Sequence, residues 1–79
     1  MIKMKNDVVF DDLIDFGFRK IDDLGVINYI YTKKNYDLII SWYGAISLIS
    51  DYASSNEIPD EILGKLYDLI KANFVEKVD

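Results

Sequence analysis

The side chains that could carry out chemistry in this chain are carboxylates, amines, hydroxyls and phenols, because its 79 residues include neither histidine nor cysteine. Histidine exchanges a proton most readily near neutral pH, and cysteine is the most reactive nucleophile and a soft metal ligand. Their absence removes the usual acid–base, thiol and zinc sites. We therefore expect a binding protein rather than an enzyme, with no cofactor and no bound metal.

The hydroxyl groups have no evident base to activate them. A serine needs a neighbouring base before it can act as a nucleophile. The spacing of the residues in the sequence does not support a serine–lysine pair with Lys65 or Lys71. The glycines are isolated, so no glycine-rich loop is available to surround a phosphate. The sequence thus favours no catalytic residue. The serines are Ser41, Ser47, Ser50, Ser54 and Ser55, and the glycines are Gly17, Gly25, Gly44 and Gly64.

Acidic residues concentrate in the first third of the chain. Between residues 7 and 23, six aspartates are offset only by Arg19 and Lys20, so this segment carries most of the net charge of −5. Paired carboxylates could bind a divalent cation or serve as an acid and a base, but no D-x-D-x-D-G loop occurs. We interpret the segment as a solvated face. The alternative is an acidic docking surface for a basic partner, including mimicry of nucleic-acid phosphates, formed by Asp11, Asp12, Asp15, Asp22 and Asp23.

Size and composition set wider limits. A chain of 79 residues is one domain by length, and 51% hydrophobic residues predict a folded core. Nine basic against 14 acidic residues argue against direct binding to nucleic acid. The longest stretch without charge, residues 38–50, is shorter than the roughly 20 residues of a membrane span, and the start MIKMKND lacks the apolar segment of a secretory signal. We expect a cytoplasmic domain whose partner is another protein or a second copy.

Hydrophobic spacing predicts a helix near each end of the chain. Over residues 7–16, apolar side chains recur every three or four positions opposite aspartates, and Gly17 follows as a left-handed C-terminal residue. Over residues 58–76, Pro59 opens a second helix with an apolar row on one side. Gly64 within this helix is expected to permit close packing against a sheet.

Between the helices the hydrophobic period changes to that of strands. Apolar and polar residues alternate here, and β-branched and aromatic residues are frequent. Both features indicate an antiparallel meander of three to four strands. Amphipathic helices can cover one face of such a sheet. The predicted fold class is therefore α+β, two layers, with both helices on the same face and the N-terminal residues as an optional edge strand. The predicted strands are residues 18–21, 26–32, 36–43 and 46–50.

The predicted sheet carries aromatic and apolar side chains on both faces. If helices cover one face, the other retains an exposed patch of the kind that marks contact surfaces, and tyrosine and tryptophan are enriched at interaction hot spots. The competing interpretation is that the tyrosines pack inward with their hydroxyls at the rim. Our leading hypothesis is a protein-interaction module that uses the helix-free face or an edge strand. The candidate contact residues are Tyr29, Tyr31, Ile39, Trp42 and Tyr43.

Two short segments resemble parts of short proteins from AT-rich bacterial and phage genomes. They are LIDFGFRKI and the helix opening Ile-Pro-Asp-Glu. Proteins of this kind often bind and inhibit a protein of the host or of an invader. The resemblance implies an accessory or inhibitory role and indicates no single family or target.

Overall fold

The computed structural model describes residues 2–50 and 58–78 and has an α+β architecture. Its main sheet has four antiparallel strands in the order of the chain, which confirms the predicted meander. The sequence predicts a loop at residues 53–57, and this segment lies outside the described residues. The elements are β1 (Ile2–Met4), a 3₁₀ helix (Phe10–Phe16), β2 (Arg19–Asp23), β3 (Val26–Lys33), β4 (Tyr36–Ser41), β5 (Ile46–Ser50), α1 (Asp60–Lys71) and β6 (Val75–Lys77).

The first helix is shorter and tighter than its spacing predicts. It is a 3₁₀ helix of seven residues that begins at Phe10, so an α-helix from residue 7 is wrong. Leu13 is the one buried residue of this helix, so packing contributes little energy to lengthen it. The helix also contains aspartates, which have a low helix propensity. Gly17 ends the helix with a φ of +96°, as predicted, and its N–H donates to the Ile14 carbonyl at 3.0 Å.

Helix α1 ends earlier than its apolar pattern predicts. Asn73 adopts a left-handed φ of +66°, and the Phe74 N–H donates to the Leu69 carbonyl at 3.1 Å. Asparagine tolerates this conformation, which stops the helix and satisfies one of its last carbonyls. The chain then extends into β6, which the sequence analysis did not predict and which pairs with β1 in a separate two-stranded sheet.

The core lies between one face of the main sheet and the two helices. On this face Tyr29 of β3 stands opposite Ile40 of β4, and Tyr31 stands opposite Leu38. Both helices contribute to the same apolar cluster, so they share one side of the sheet. The buried apolar residues are Met4, Leu13, Phe18, Tyr29, Tyr36, Leu38, Ile40, Ile62 and Leu69.

Candidate protein-interaction site

The turn between β4 and β5 projects two aromatic side chains into solvent. Strand β4 ends at Ser41, so Trp42 and Tyr43 belong to the turn and not to either face of the sheet. They are 61% and 65% exposed, and their ring centroids lie 5.3 Å apart with the rings nearly perpendicular. Large aromatic side chains are usually well buried, so this pair is the most unusual surface feature of the turn.

Backbone hydrogen bonds hold this turn in one conformation. The Ser41 N–H donates to the Ala45 carbonyl at 3.0 Å, and the Ser41 carbonyl accepts from the Gly44 N–H at 2.9 Å. The Ser41 hydroxyl accepts from the Ala45 N–H at 3.0 Å. From the other side, the Met4 N–H of β1 donates to the Gly44 carbonyl at 2.9 Å. Because the backbone is fixed in advance, a partner that binds here need not order it.

Gly44 is required for this conformation, and Gly44→Ala is expected to destabilise the protein by about 1–3 kcal/mol. Its φ is +94°, and a Cβ atom there would lie 3.2 Å from the carbonyl oxygen of Met4. The positive φ would strain the backbone of an alanine, and the close contact would be with a backbone oxygen, which cannot move aside easily. Urea unfolding followed by circular dichroism measures the change in the free energy of unfolding.

Gly64→Ala is the matched control for this prediction. A Cβ atom at Gly64 would have no heavy atom within 4 Å, so the expectation that this glycine packs closely against the sheet is wrong. Within helix α1 the alanine should stabilise the protein by up to about 1 kcal/mol. Equal destabilisation by Gly44→Ala and Gly64→Ala would contradict this account of the turn.

A groove of about 370 Å³ opens beside the turn. Its lining side chains come from residues 6–10, from β3 and from the Trp42–Tyr43 turn. The Phe10 ring meets the Tyr29 ring edge-on, with centroids 6.1 Å apart. Four of the lining side chains are therefore aromatic. We name this the aromatic groove; it is lined by Asn6, Val8, Phe10, Ile27, Tyr29, Trp42 and Tyr43.

Tyr29, which lines the groove, is hydrogen-bonded to the 3₁₀ helix. Its hydroxyl donates to Oδ1 of Asp11 at 2.7 Å, and Nζ of Lys20 approaches the same oxygen at 3.1 Å. The hydrogen bond from Tyr29, together with Lys20, lowers the pKa of the Asp11 carboxyl. Burial, reinforced by the Asp11 charge, raises the pKa of Tyr29 to about 12. These contacts join the 3₁₀ helix to β2 and β3.

The stabilising effect of the Tyr29 phenol should disappear at high pH. The pKa of Tyr29 is about 12 in the folded protein and 10.0 for an ordinary tyrosine, so folding favours the neutral phenol. Tyr29→Phe should cost about 1 kcal/mol below pH 10, and the difference from the wild type should shrink as pH rises toward 12. Urea unfolding at a series of pH values measures it. A difference that stays constant across this range would contradict the predicted role of the hydroxyl, and Tyr67→Phe on the surface controls for the substitution itself.

The structure does not place the five predicted contact residues on one surface. Tyr29 is 4% exposed and faces the helices. Tyr31 lies on the same side, where the Phe18 ring packs 5.6 Å away. Ile39 lies on the opposite face, half-buried. The five residues do not form one patch on the helix-free face: Tyr29 pairs with Ile40 and so lies on the opposite face from Ile39, and Trp42 and Tyr43 lie beyond the end of β4 at Ser41. Only Trp42 and Tyr43 are exposed side by side.

The helix-free face of the sheet carries a narrow diagonal of isoleucines. Ile30 and Ile39 stand opposite each other on β3 and β4, and Ile21 and Ile49 continue the diagonal onto the edge strands. Polar side chains flank it: Thr32 Oγ1 donates to Asp37 Oδ1 at 2.6 Å, and Arg19 Nη2 reaches Thr32 at 3.4 Å. This face is a second, mixed apolar surface.

Helix α1 presents a third apolar surface. Leu63, Tyr67 and Ile70 are exposed and are spaced four and three residues apart, so they share one side of the helix. Nζ of Lys71 lies 5.6 Å from the Tyr67 ring centroid, which places a positive charge of this chain on that surface.

Two of the five aspartates proposed as an acidic docking surface have roles within the fold. Asp11 binds Tyr29 and Lys20, and Asp22 Oδ1 accepts the Gly25 N–H at 3.1 Å in the β2–β3 turn. The other three are exposed: Asp12, Asp15 and Asp23. Within residues 2–50 and 58–78, no three acidic side chains are grouped so that they could hold a metal ion.

Among the described segments of the chain, no helix has the length and apolar character needed to cross a bilayer. Comparison of this chain with protein-family models, with curated proteins and with solved structures returns no match.

Proposed function

We propose that this chain is a small acidic protein-interaction module that binds a partner protein through the Trp42–Tyr43 turn and the aromatic groove. The observation that supports this most directly is the pair of exposed aromatic rings on a turn that four hydrogen bonds hold in place. Tryptophan and tyrosine dominate the energetics of interfaces, because they bury a large area and have few rotatable bonds. The module acts through binding and performs no chemical step.

The turn is a better candidate than the other two apolar surfaces. The isoleucine diagonal is one side chain wide and is bordered by charged and polar groups, so its apolar area is small. The stripe on α1 contains Tyr67, whose ring already has Lys71 beside it. The turn combines two exposed rings with an adjacent concave surface, into which a side chain of a partner can insert. Interface hot spots cluster in such pockets.

The biological role proposed for this binding is accessory or inhibitory. A domain of 79 residues without histidine or cysteine is suited to occupy a surface of a larger protein rather than to transform a substrate. The resemblance of LIDFGFRKI to short bacterial and phage proteins supports the same role.

The test is capture of the partner from a lysate of the native cell with one variant on each apolar surface. Immobilised wild-type chain is compared with Trp42→Ala, Ile39→Ser and Tyr67→Ser, after circular dichroism has confirmed that each is folded. The proposal expects Trp42→Ala to lose the captured protein and the other two to retain it. Retention by Trp42→Ala together with loss by either of the others would move the interface to that surface. Light scattering on the purified chain shows in parallel whether the partner is a second copy.

A further inference from the structure

We infer that the aromatic groove receives the side chain of an arginine or lysine of the partner protein. This inference rests on the proposed function and adds the chemistry of the residue that is recognised. Two independent features support it. Among the described residues, lysines lie over other aromatic rings but not over that of Trp42, and carboxylates outnumber basic groups around the groove.

Lysines of the chain lie over the rings of the half-buried Tyr31 and the exposed Tyr67. Nζ of Lys65 lies 4.8 Å from the centroid of Tyr31, and Nζ of Lys71 lies 5.6 Å from that of Tyr67. In the part of the chain that the structure describes, no lysine or arginine lies over the ring of Trp42 or Tyr43. Among aromatic side chains, tryptophan attracts cations most strongly because its ring has the most negative face. Trp42 is exposed, and its ring carries no cation from the described residues.

The charges around the groove are mainly negative. Asp7 lies in the sequence between the lining residues Asn6 and Val8. Asp11 accepts the hydroxyl of the lining Tyr29, and Asp22 stands opposite the lining Ile27 in the sheet register. Lys20 and Lys5 are the basic side chains of this group; the ammonium group of Lys20 is 3.1 Å from Asp11, and that of Lys5 donates to Oδ1 of Asn73. A cation entering the groove thus meets an excess of carboxylates.

The shape of the groove fits a long basic side chain. Val8, Phe10 and Ile27 provide an apolar surface for the methylene stem, while the charged end can reach the ring faces and the acidic rim. A second copy of this chain is disfavoured as the occupant, because two molecules that each carry a net charge of −5 would bring their acidic rims together.

The test is a selection from a random dodecapeptide display library on the full chain, with counter-selection on Trp42→Ala. We expect the enriched peptides to share an arginine or lysine. Because Trp42 is the one tryptophan of the chain, its fluorescence reports binding of each synthetic peptide without a label. Replacing the shared arginine with citrulline, or the lysine with norleucine, should weaken binding about tenfold, and added salt should weaken the original peptide more than the neutral one.

Asp7→Asn supplies a second readout on the protein side, with Asp68→Asn on helix α1 as its matched control. We expect Asp7→Asn to weaken the basic peptide and Asp68→Asn to leave it unchanged. Peptides that need Trp42 but bind equally well after neutralisation would overturn the cationic inference and leave the proposed interface intact. A selection that yields no Trp42-dependent peptide would overturn both.

Discussion

Trp42→Ala is expected to weaken binding of the partner protein by roughly thirty- to several-hundred-fold, which corresponds to about 2–4 kcal/mol at an aromatic hot spot. The reason is that the ring is 61% exposed in the free protein and would be desolvated at the centre of the interface. Isothermal titration calorimetry is the appropriate measurement, because the substitution removes the only tryptophan.

The same substitution should leave the fold almost unchanged. Exposed side chains contribute little to folding, so the free energy of unfolding should change by no more than about 0.5 kcal/mol. Trp42→Phe is the control that keeps an aromatic ring on the turn and should retain much of the affinity. If Trp42→Ala binds as tightly as the wild type while the fold is intact, the turn is not the contact surface.

Leu69→Ala is expected to lower the free energy of unfolding by about 2–5 kcal/mol, because it leaves a cavity in the core. The side chain of Leu69 is 0% exposed and packs with the sheet residues of the main cluster. A domain of 79 residues has a total stability of about 4–12 kcal/mol. The substitution therefore removes a large share of that stability, and urea unfolding monitored by circular dichroism measures it.

Leu63→Ala makes the same chemical change in the same helix and is the matched control. Leu63 is 48% exposed, so truncating it should cost well below 1 kcal/mol. A similar loss for the two variants would mean that helix α1 does not present Leu69 to the sheet as described.

Local sequence signals predicted the main sheet well. The strand at residues 46–50 was predicted with the bounds that β5 has in the structure. Alternating apolar residues favour a pleated strand, and Gly25 within a turn allows the positive φ that a tight hairpin needs. Gly17 likewise marks the end of the first helix. These features depend on neighbouring residues, so they can be read without knowledge of the tertiary structure.

The end of β4 could not be predicted in the same way. Leu38, Ile40 and Trp42 alternate as a strand would, yet the strand stops at Ser41. The stop depends on the bonds from Ser41 to Ala45 and on the Met4 N–H, which comes from a strand nearly forty residues earlier in the chain. The alternation of side chains carries no information about that distant donor.

Taken by itself, the amino-acid sequence determined the fold class of the protein, an α+β chain with an antiparallel sheet, and its acidic character. Composition and period set these properties because they reflect hydrophobic burial and charge, which are summed over many residues. The tertiary structure alone decided which aromatic side chains are exposed. Tyr29 is buried by the helices and bound to Asp11, whereas Trp42 is held outside the sheet by contacts between distant segments. The candidate site depends on that difference. Tyr29 and Trp42 are both aromatic, and only the packing around them makes one a buried lining residue and the other an exposed contact residue.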